Sequence, residues 1–146
     1  MDSYVERRDL EVLRVRADMK GKGPGDAFQR LEATLPSLQG RNFYGSIRLL
    51  EDGEEYYACV ERAPGDDAEK MGLETATLPG GLYVRRKLFD WEKLVAGGKL
   101  PEASRDLAES HDIDRSRPEL EYYRSHTELH ILLPVLSRNE HRTAPM

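Results

Sequence analysis

With 146 residues, 38% of them hydrophobic, the chain can bury one core without disulfide staples. A third of the residues are charged, and the net charge of −5 comes from acids and bases mixed along the whole length. That mixture argues against nucleic acid as the main partner and favours a neutral or cationic one. Cys59 is the single cysteine, which excludes an internal disulfide and a cysteine-built zinc site; its apolar neighbours Ala58 and Val60 mark it as a buried small residue. The first residues lack the apolar run of a signal peptide and no segment is long enough to span a bilayer, so a cytoplasmic protein without membrane contact is expected.

Leu10, Val12, Leu13, Val15 and Met19 alternate with charges, which predicts a half-buried strand over residues 10–20. Gly21, Gly23, Pro24 and Gly25 break it. Asp26 is the expected cap of a helix carrying Phe28, Leu31 and Leu35 at helical spacing, closed by Pro36, Gly40 and Asn42. Two strands, 43–50 and 55–61, flank the hairpin signal Glu51-Asp52-Gly53-Glu54. Residues 63–71 contain Pro64, Gly65 and several charges and are expected to be a surface loop.

The same order then returns. Residues 73–88 read as strand, interrupted by the turn Pro79-Gly80-Gly81. A helical stretch over 90–110 carries Trp91, Leu94, Val95, Leu107 and Ala108, and Gly97-Gly98 with Pro101 should split it in two. Strands over 119–124 and 128–135 form a last hairpin around Ser125-His126-Thr127, followed by a polar, frayed tail over 137–146. Each half, about 5–62 and 73–136, therefore reads strand, helix, strand, strand within a single domain. Two such units joined edge to edge predict an α+β fold: a curved antiparallel sheet with helices on one face and a ligand groove on the other.

The most informative segment is Arg117-Pro118-Glu119-Leu120-Glu121-Tyr122-Tyr123-Arg124. In a strand, Glu119, Glu121 and Tyr123 share one face, and Leu120 and Tyr122 the other. If Leu120 and Tyr122 pack under the helices, Glu121 and Tyr123 face the groove. A carboxylate in a central strand loses hydration, so it must be paired, stay protonated or await a cationic ligand. The plainer alternatives are a salt bridge to Arg48, Arg85 or Arg124, or exposure on a solvated face. Tyr44, Tyr56, Tyr57, Tyr83, Trp91, Tyr122 and Tyr123 fall on or beside the strands and could hold a flat or cationic molecule by stacking. Alternation allows one of Tyr56/Tyr57 and one of Tyr122/Tyr123 to face the groove, and the expected pair is Tyr57 and Tyr123. His111, Asp112, Asp114, His126 and His130 complete no metal-ligand set, and no phosphate-binding loop, nucleophile elbow, dinucleotide fingerprint or DNA-reading helix–turn–helix occurs.

Asn42-Phe43-Tyr44-Gly45, Tyr56-Tyr57-Ala58-Cys59-Val60, Leu78-Pro79-Gly80-Gly81-Leu82-Tyr83, Trp91, the segment 117–123 and Leu132-Leu133-Pro134-Val135 together resemble the GyrI-like small-molecule-binding family. That family includes the effector-binding domains of AraC- and MerR-type multidrug regulators. The resemblance covers roughly residues 5–136. It implies a duplicated strand–helix–strand–strand fold and a central pocket glutamate, which falls on Glu121. It also implies a stand-alone member that binds no DNA directly, since the chain carries no separate DNA-binding domain.

The function expected on these grounds is binding of small hydrophobic, cationic or aromatic compounds without a cofactor or metal. Glu121 would supply the charge, and Tyr44, Tyr57, Tyr83, Trp91 and Tyr123 the walls. One alternative is a hydrolase of cyclopropane-type genotoxic electrophiles, with Glu121 as the catalytic acid or base. A second is a protein-interaction or inhibitor module, which would show a shallow groove and an exposed apolar patch.

Overall fold

Val12 and Leu13, β-branched and γ-branched neighbours on opposite faces of one strand, are both fully buried, so the sheet they belong to is covered on both sides. The structure is a computed structural model describing residues 2–97 and 100–140. The strands are β1 (Ser3–Arg7), β2 (Leu10–Arg16), β3 (Phe43–Leu50), β4 (Gly53–Glu61), β5 (Glu74–Leu78), β6 (Gly81–Phe89), β7 (His111–Ile113), β8 (Glu119–Tyr123) and β9 (Glu128–Glu140). The helices are α1 (Gly23–Ala33), α2 (Ala68–Met71), α3 (Trp91–Ala96) and α4 (Leu100–Glu109). The sheet runs β1-β6-β9-β8-β3-β4-β2-β5, and β7 adds to β9. The α+β class and the curved antiparallel sheet are thus as expected.

The order is symmetric about the β8–β3 pair: β9 then β6 lie on one side, β4 then β2 on the other. The edge strands are exchanged. β1 precedes β2 in the chain but pairs with β6, and β5 precedes β6 but pairs with β2. The two connections therefore pass each other closely. Gly80 N donates to Asp9 Oδ1 at 2.7 Å, and a Cβ on Gly80 would lie 2.5 Å from the Arg7 carbonyl oxygen and 2.6 Å from Arg8 C. Only glycine fits that crossing.

α1 begins earlier than the expected Asp26 cap. Lys22 stands at the cap position and Pro24 lies in the first turn, where its missing N–H costs nothing. Asp26 instead accepts from Arg30 Nε at 2.9 Å, one turn on. Ala27 and Leu31 bury against Leu13, Tyr56, Ala58 and Val60. α4 buries Leu107 against Val84, Ile131, Leu133 and Val135. A fully buried leucine of this kind stabilises by roughly 1.5–3 kcal/mol. The expected break in the 90–110 stretch is the α3 C-cap at Gly97, and Pro101 sits in the first turn of α4; Gly98 lies outside the described residues.

The groove differs from expectation. It opens on the same face as α1 and α4, between them, and the other face is closed without helices. There Val12, Tyr44, Cys59, Leu78, Tyr83, Leu120 and Leu132 form one cluster, joined by Tyr122. Residues of β2 and β5 meet residues of β6 although the strands stand near opposite ends of the sheet, so the sheet curls until this face packs on itself. Leu120 and Tyr122, expected under the helices, lie in that cluster. Besides β7, three local features were also not foreseen. β1 forms at the start of the chain. Asp67 caps the short α2 inside the expected 63–71 loop by accepting from Lys70 N at 3.2 Å. β9 continues through the first residues of the expected frayed tail, pairing with β7 as far as Glu140; residues 141–146 lie outside the described residues.

Candidate functional site

Antiparallel pairing sets Gly45 of β3 directly beside Glu121 of β8 on one side and Ala58 of β4 on the other. The missing side chain at Gly45 is what allows the next contact. A Cβ there would lie 2.1 Å from the Tyr56 hydroxyl oxygen and 2.7 Å from Glu121 Oε1. Through that gap the Tyr56 phenol reaches across β3 and donates to Glu121 Oε1 at 2.6 Å. Tyr123, two residues along β8 on the same face, donates to the same oxygen at 2.9 Å. The two hydroxyl oxygens stand 3.2 Å apart. Each phenol has one proton, so with both donating to the carboxylate neither has one for the other.

Aromatic rings enclose this group. Phe28 of α1 meets Tyr123 edge-on at 5.2 Å and Tyr56 at 6.2 Å. Trp91 at the start of α3 meets Tyr123 edge-on at 5.3 Å, its Nε1 donating to Ser125 O at 3.1 Å. Glu119 lies on the same face of β8, opposite Ile47 of β3, and accepts from the Ser104 hydroxyl of α4. A groove of about 620 Å³ opens over Tyr56, Glu119 and Glu121, while Phe28, Trp91 and Tyr123 stand behind its lining. Ile47, Tyr56, Glu119, Glu121 and Ile131 form its floor, with Pro24 of α1 and Leu100, Ser104 and Ala108 of α4 among its walls.

Glu121 is 9% exposed. Burial raises its pKa; the Tyr56 and Tyr123 hydroxyls oppose that rise and the charge of Glu54 adds to it. Burial pushes Glu119 up to about 7, against the Ser104 hydrogen bond and with the charges of Glu121 and Glu54. The phenols of Tyr56 and Tyr123 are raised too, first by burial and then by the neighbouring carboxylate. Among the described residues, no lysine, arginine or histidine stands within 4.0 Å of either floor carboxylate. The alternative pairing of Glu121 with Arg48, Arg85 or Arg124 therefore does not occur. Such a floor can hold a proton near neutral pH, or give it up to a ligand that brings positive charge.

Tyr123 lies beside Glu121, and Trp91 packs on the far side of Tyr123. Tyr57, Tyr44 and Tyr83 do not: all three belong to the helix-free face. Tyr57 pairs with Ser46, which pairs with Leu120, so strand alternation carries it away from Glu121 and presents Tyr56 instead. The Arg14 guanidinium lies over the Tyr57 ring at 3.7 Å. Tyr44 stacks on Tyr122 at 4.8 Å and accepts from Arg7 at 2.8 Å. Tyr83 is fully buried and donates to Pro79 O. Tyr56, Glu119, Ser104, Phe28 and Gly45 were not singled out as site residues. The available signals were the glycine inside an aromatic strand at Gly45 and the shared face of Glu119 and Glu121.

Elsewhere, His111 Nδ1 contacts Leu107 O at 3.0 Å, and His130 is hydrogen-bonded to Glu128. No group of three or more His, Cys, Asp or Glu among the described residues could hold a metal ion. No helix among them is long and apolar enough to cross a membrane.

No protein-family model matches the chain, and no curated protein sequence matches it. Solved structures do share the fold. An integron cassette protein from the mobile metagenome of Vibrio cholerae superposes with a TM-score of 0.68 at 17% identity, over 92% of this chain and 95% of that one. SAV2435 bound to tetraphenylphosphonium superposes with a TM-score of 0.67 at 16% identity, over 92% and 93%. A hydrolase from Listeria innocua superposes with a TM-score of 0.57 at 13% identity, over 92% and 91%.

Proposed function

We propose that the chain binds small hydrophobic cations or aromatic compounds in the groove over Glu121, as a member of the GyrI-like family that its motifs resemble. One observation carries the reading: a buried carboxyl group, hydrogen-bonded by two phenols and with no basic group within 4.0 Å among the described residues. A carboxylate in such a place costs several kcal/mol to ionise unless charge arrives from outside. A delocalised organic cation brings that charge at little desolvation cost and meets the Tyr56 ring in the groove lining. The likeness to SAV2435, whose structure contains tetraphenylphosphonium, supports the same choice of ligand.

The test compares tetraphenylphosphonium with neutral triphenylphosphine oxide by calorimetry. The wild type is expected to prefer the cation by about 1–3 kcal/mol, and Glu121→Gln to erase that preference while keeping the shape of the site. A preference unchanged in the Gln variant would remove Glu121 from the role.

A second reading is favoured by the two phenols. A carboxyl group with two hydroxyls in hydrogen-bond reach has the acid–base partners that hydrolysis of a strained ring requires. Glu121 would pass a proton to the opening ring carbon while water adds to the other carbon and returns a proton to the carboxylate. The fold shared with a Listeria innocua hydrolase supports it. Acceleration of ring opening of a cyclopropane-bearing alkylator that is lost in Glu121→Gln is its expected signature.

A further inference from the structure

The charges lining the groove are sorted by depth. Glu119 and Glu121 lie on the floor, whereas Arg48 of β3, Arg105 of α4 and Arg115 of the β7–β8 connection are exposed and line its open side. None of these three has a hydrogen bond or an ion pair within 4.0 Å among the described residues, although the Arg115 charge acts on Glu119 from farther off. A fourth lining arginine, Arg117, is already satisfied by Asp114 and by the carbonyl oxygens of Gly80, Leu82 and Val135. Glu54 is the exposed acid of the same lining. The groove therefore presents four guanidinium groups against three carboxyl groups, so a plain cation entering it passes three unpaired positive charges before it meets the floor.

We infer that the groove selects zwitterionic amphiphiles: an aromatic cation at Glu121 and Glu119, carrying an anionic substituent that Arg48, Arg105 and Arg115 hold at the mouth. The inference rests on the ligand-binding reading and names the class of compound. Arg48, Arg105 and Arg115 come from three separate parts of the chain and all line the groove, and each can turn onto a sulfonate or carboxylate without breaking an ion pair among the described residues. A single exposed pair contributes little. Two or three such contacts to one anion, beside a low-dielectric groove, are expected to tighten binding on the order of tenfold at low salt and to weaken as salt is added.

The probes are the N-sulfopropyl and N-ethyl forms of methoxyquinolinium, which share one permanently cationic ring and differ in the anionic arm. Affinities are measured by calorimetry in chloride-free buffer. The wild type is expected to bind the sulfopropyl form about tenfold more tightly. The Arg48→Gln/Arg105→Gln/Arg115→Gln variant should bring the two forms to similar affinity, and Arg115→Gln alone should lose part of the preference. These residues are exposed, so the folded state survives their replacement. Equal affinities in the wild type, or a preference that persists in the triple variant, overturn the inference and leave the cation-binding reading in place. Failure of both forms to bind overturns the two together.

Discussion

Replacing Glu119 by glutamine is expected to reduce the fall in stability between mildly acidic and mildly basic pH. The Glu119 carboxyl, held at about 7 in the folded chain against an ordinary 4.5, keeps a proton that the unfolded chain has already released. Its stabilising contribution is therefore complete below pH 4.5, declines between 4.5 and about 7, and is gone above. The difference corresponds to about 3 kcal/mol across that window. Glutamine is neutral throughout and its amide oxygen can still accept from Ser104. Glu121, also raised, acts in the same direction. His130, lowered by burial, acts in the opposite one, and Asp114, held at about 2 by Ser116 and Arg117, titrates below the window. The informative quantity is thus the difference between the wild type and the variant. Urea unfolding from about pH 4.5 to pH 8 should show the wild type losing about 3 kcal/mol more than Glu119→Gln. Parallel curves would mean that Glu119 ionises as freely in the fold as in the unfolded chain, and would refute the burial account of the groove floor.

Two further outcomes follow from the same geometry. Gly45→Ala should destabilise by about 1–3 kcal/mol and weaken ligand binding, since its methyl occupies the path of the Tyr56–Glu121 hydrogen bond; thermal unfolding with a binding titration checks both. Cys59, buried and pushed up to about 12, should resist iodoacetamide in the native protein and react once urea has unfolded it, as mass spectrometry would read.

Much of the architecture was legible because it rests on local signals. The β3–β4 hairpin announces itself through alternating apolar residues around a Gly53 turn, and the β8–β9 hairpin through the polar Ser125-His126-Thr127. β1 and β7 escaped because short strands owe their pairing to partners more than a dozen residues away, β6 and β9. The side of the groove escaped for a different reason. Alternation tells which residues share a face but not which face is which, and here both are apolar because the sheet curls onto its helix-free side. Leu120 and Tyr122 consequently looked like helix-facing residues, and the choice between Tyr56 and Tyr57 depended on a register with β3 and β8 that alternation alone does not give. Glu119 owes its burial to α4, which arrives with Ser104 from another part of the chain, so the only local sign was the face it shares with Glu121.

The structure of the protein in complex with tetraphenylphosphonium tests the central claim most directly. The account places the ligand between α1 and α4, a ring against Tyr56 and its charge next to the Glu121 carboxylate. A ligand bound instead on the helix-free face beside Tyr44 and Tyr57, or outside a groove whose Glu121 remains untouched, would contradict it.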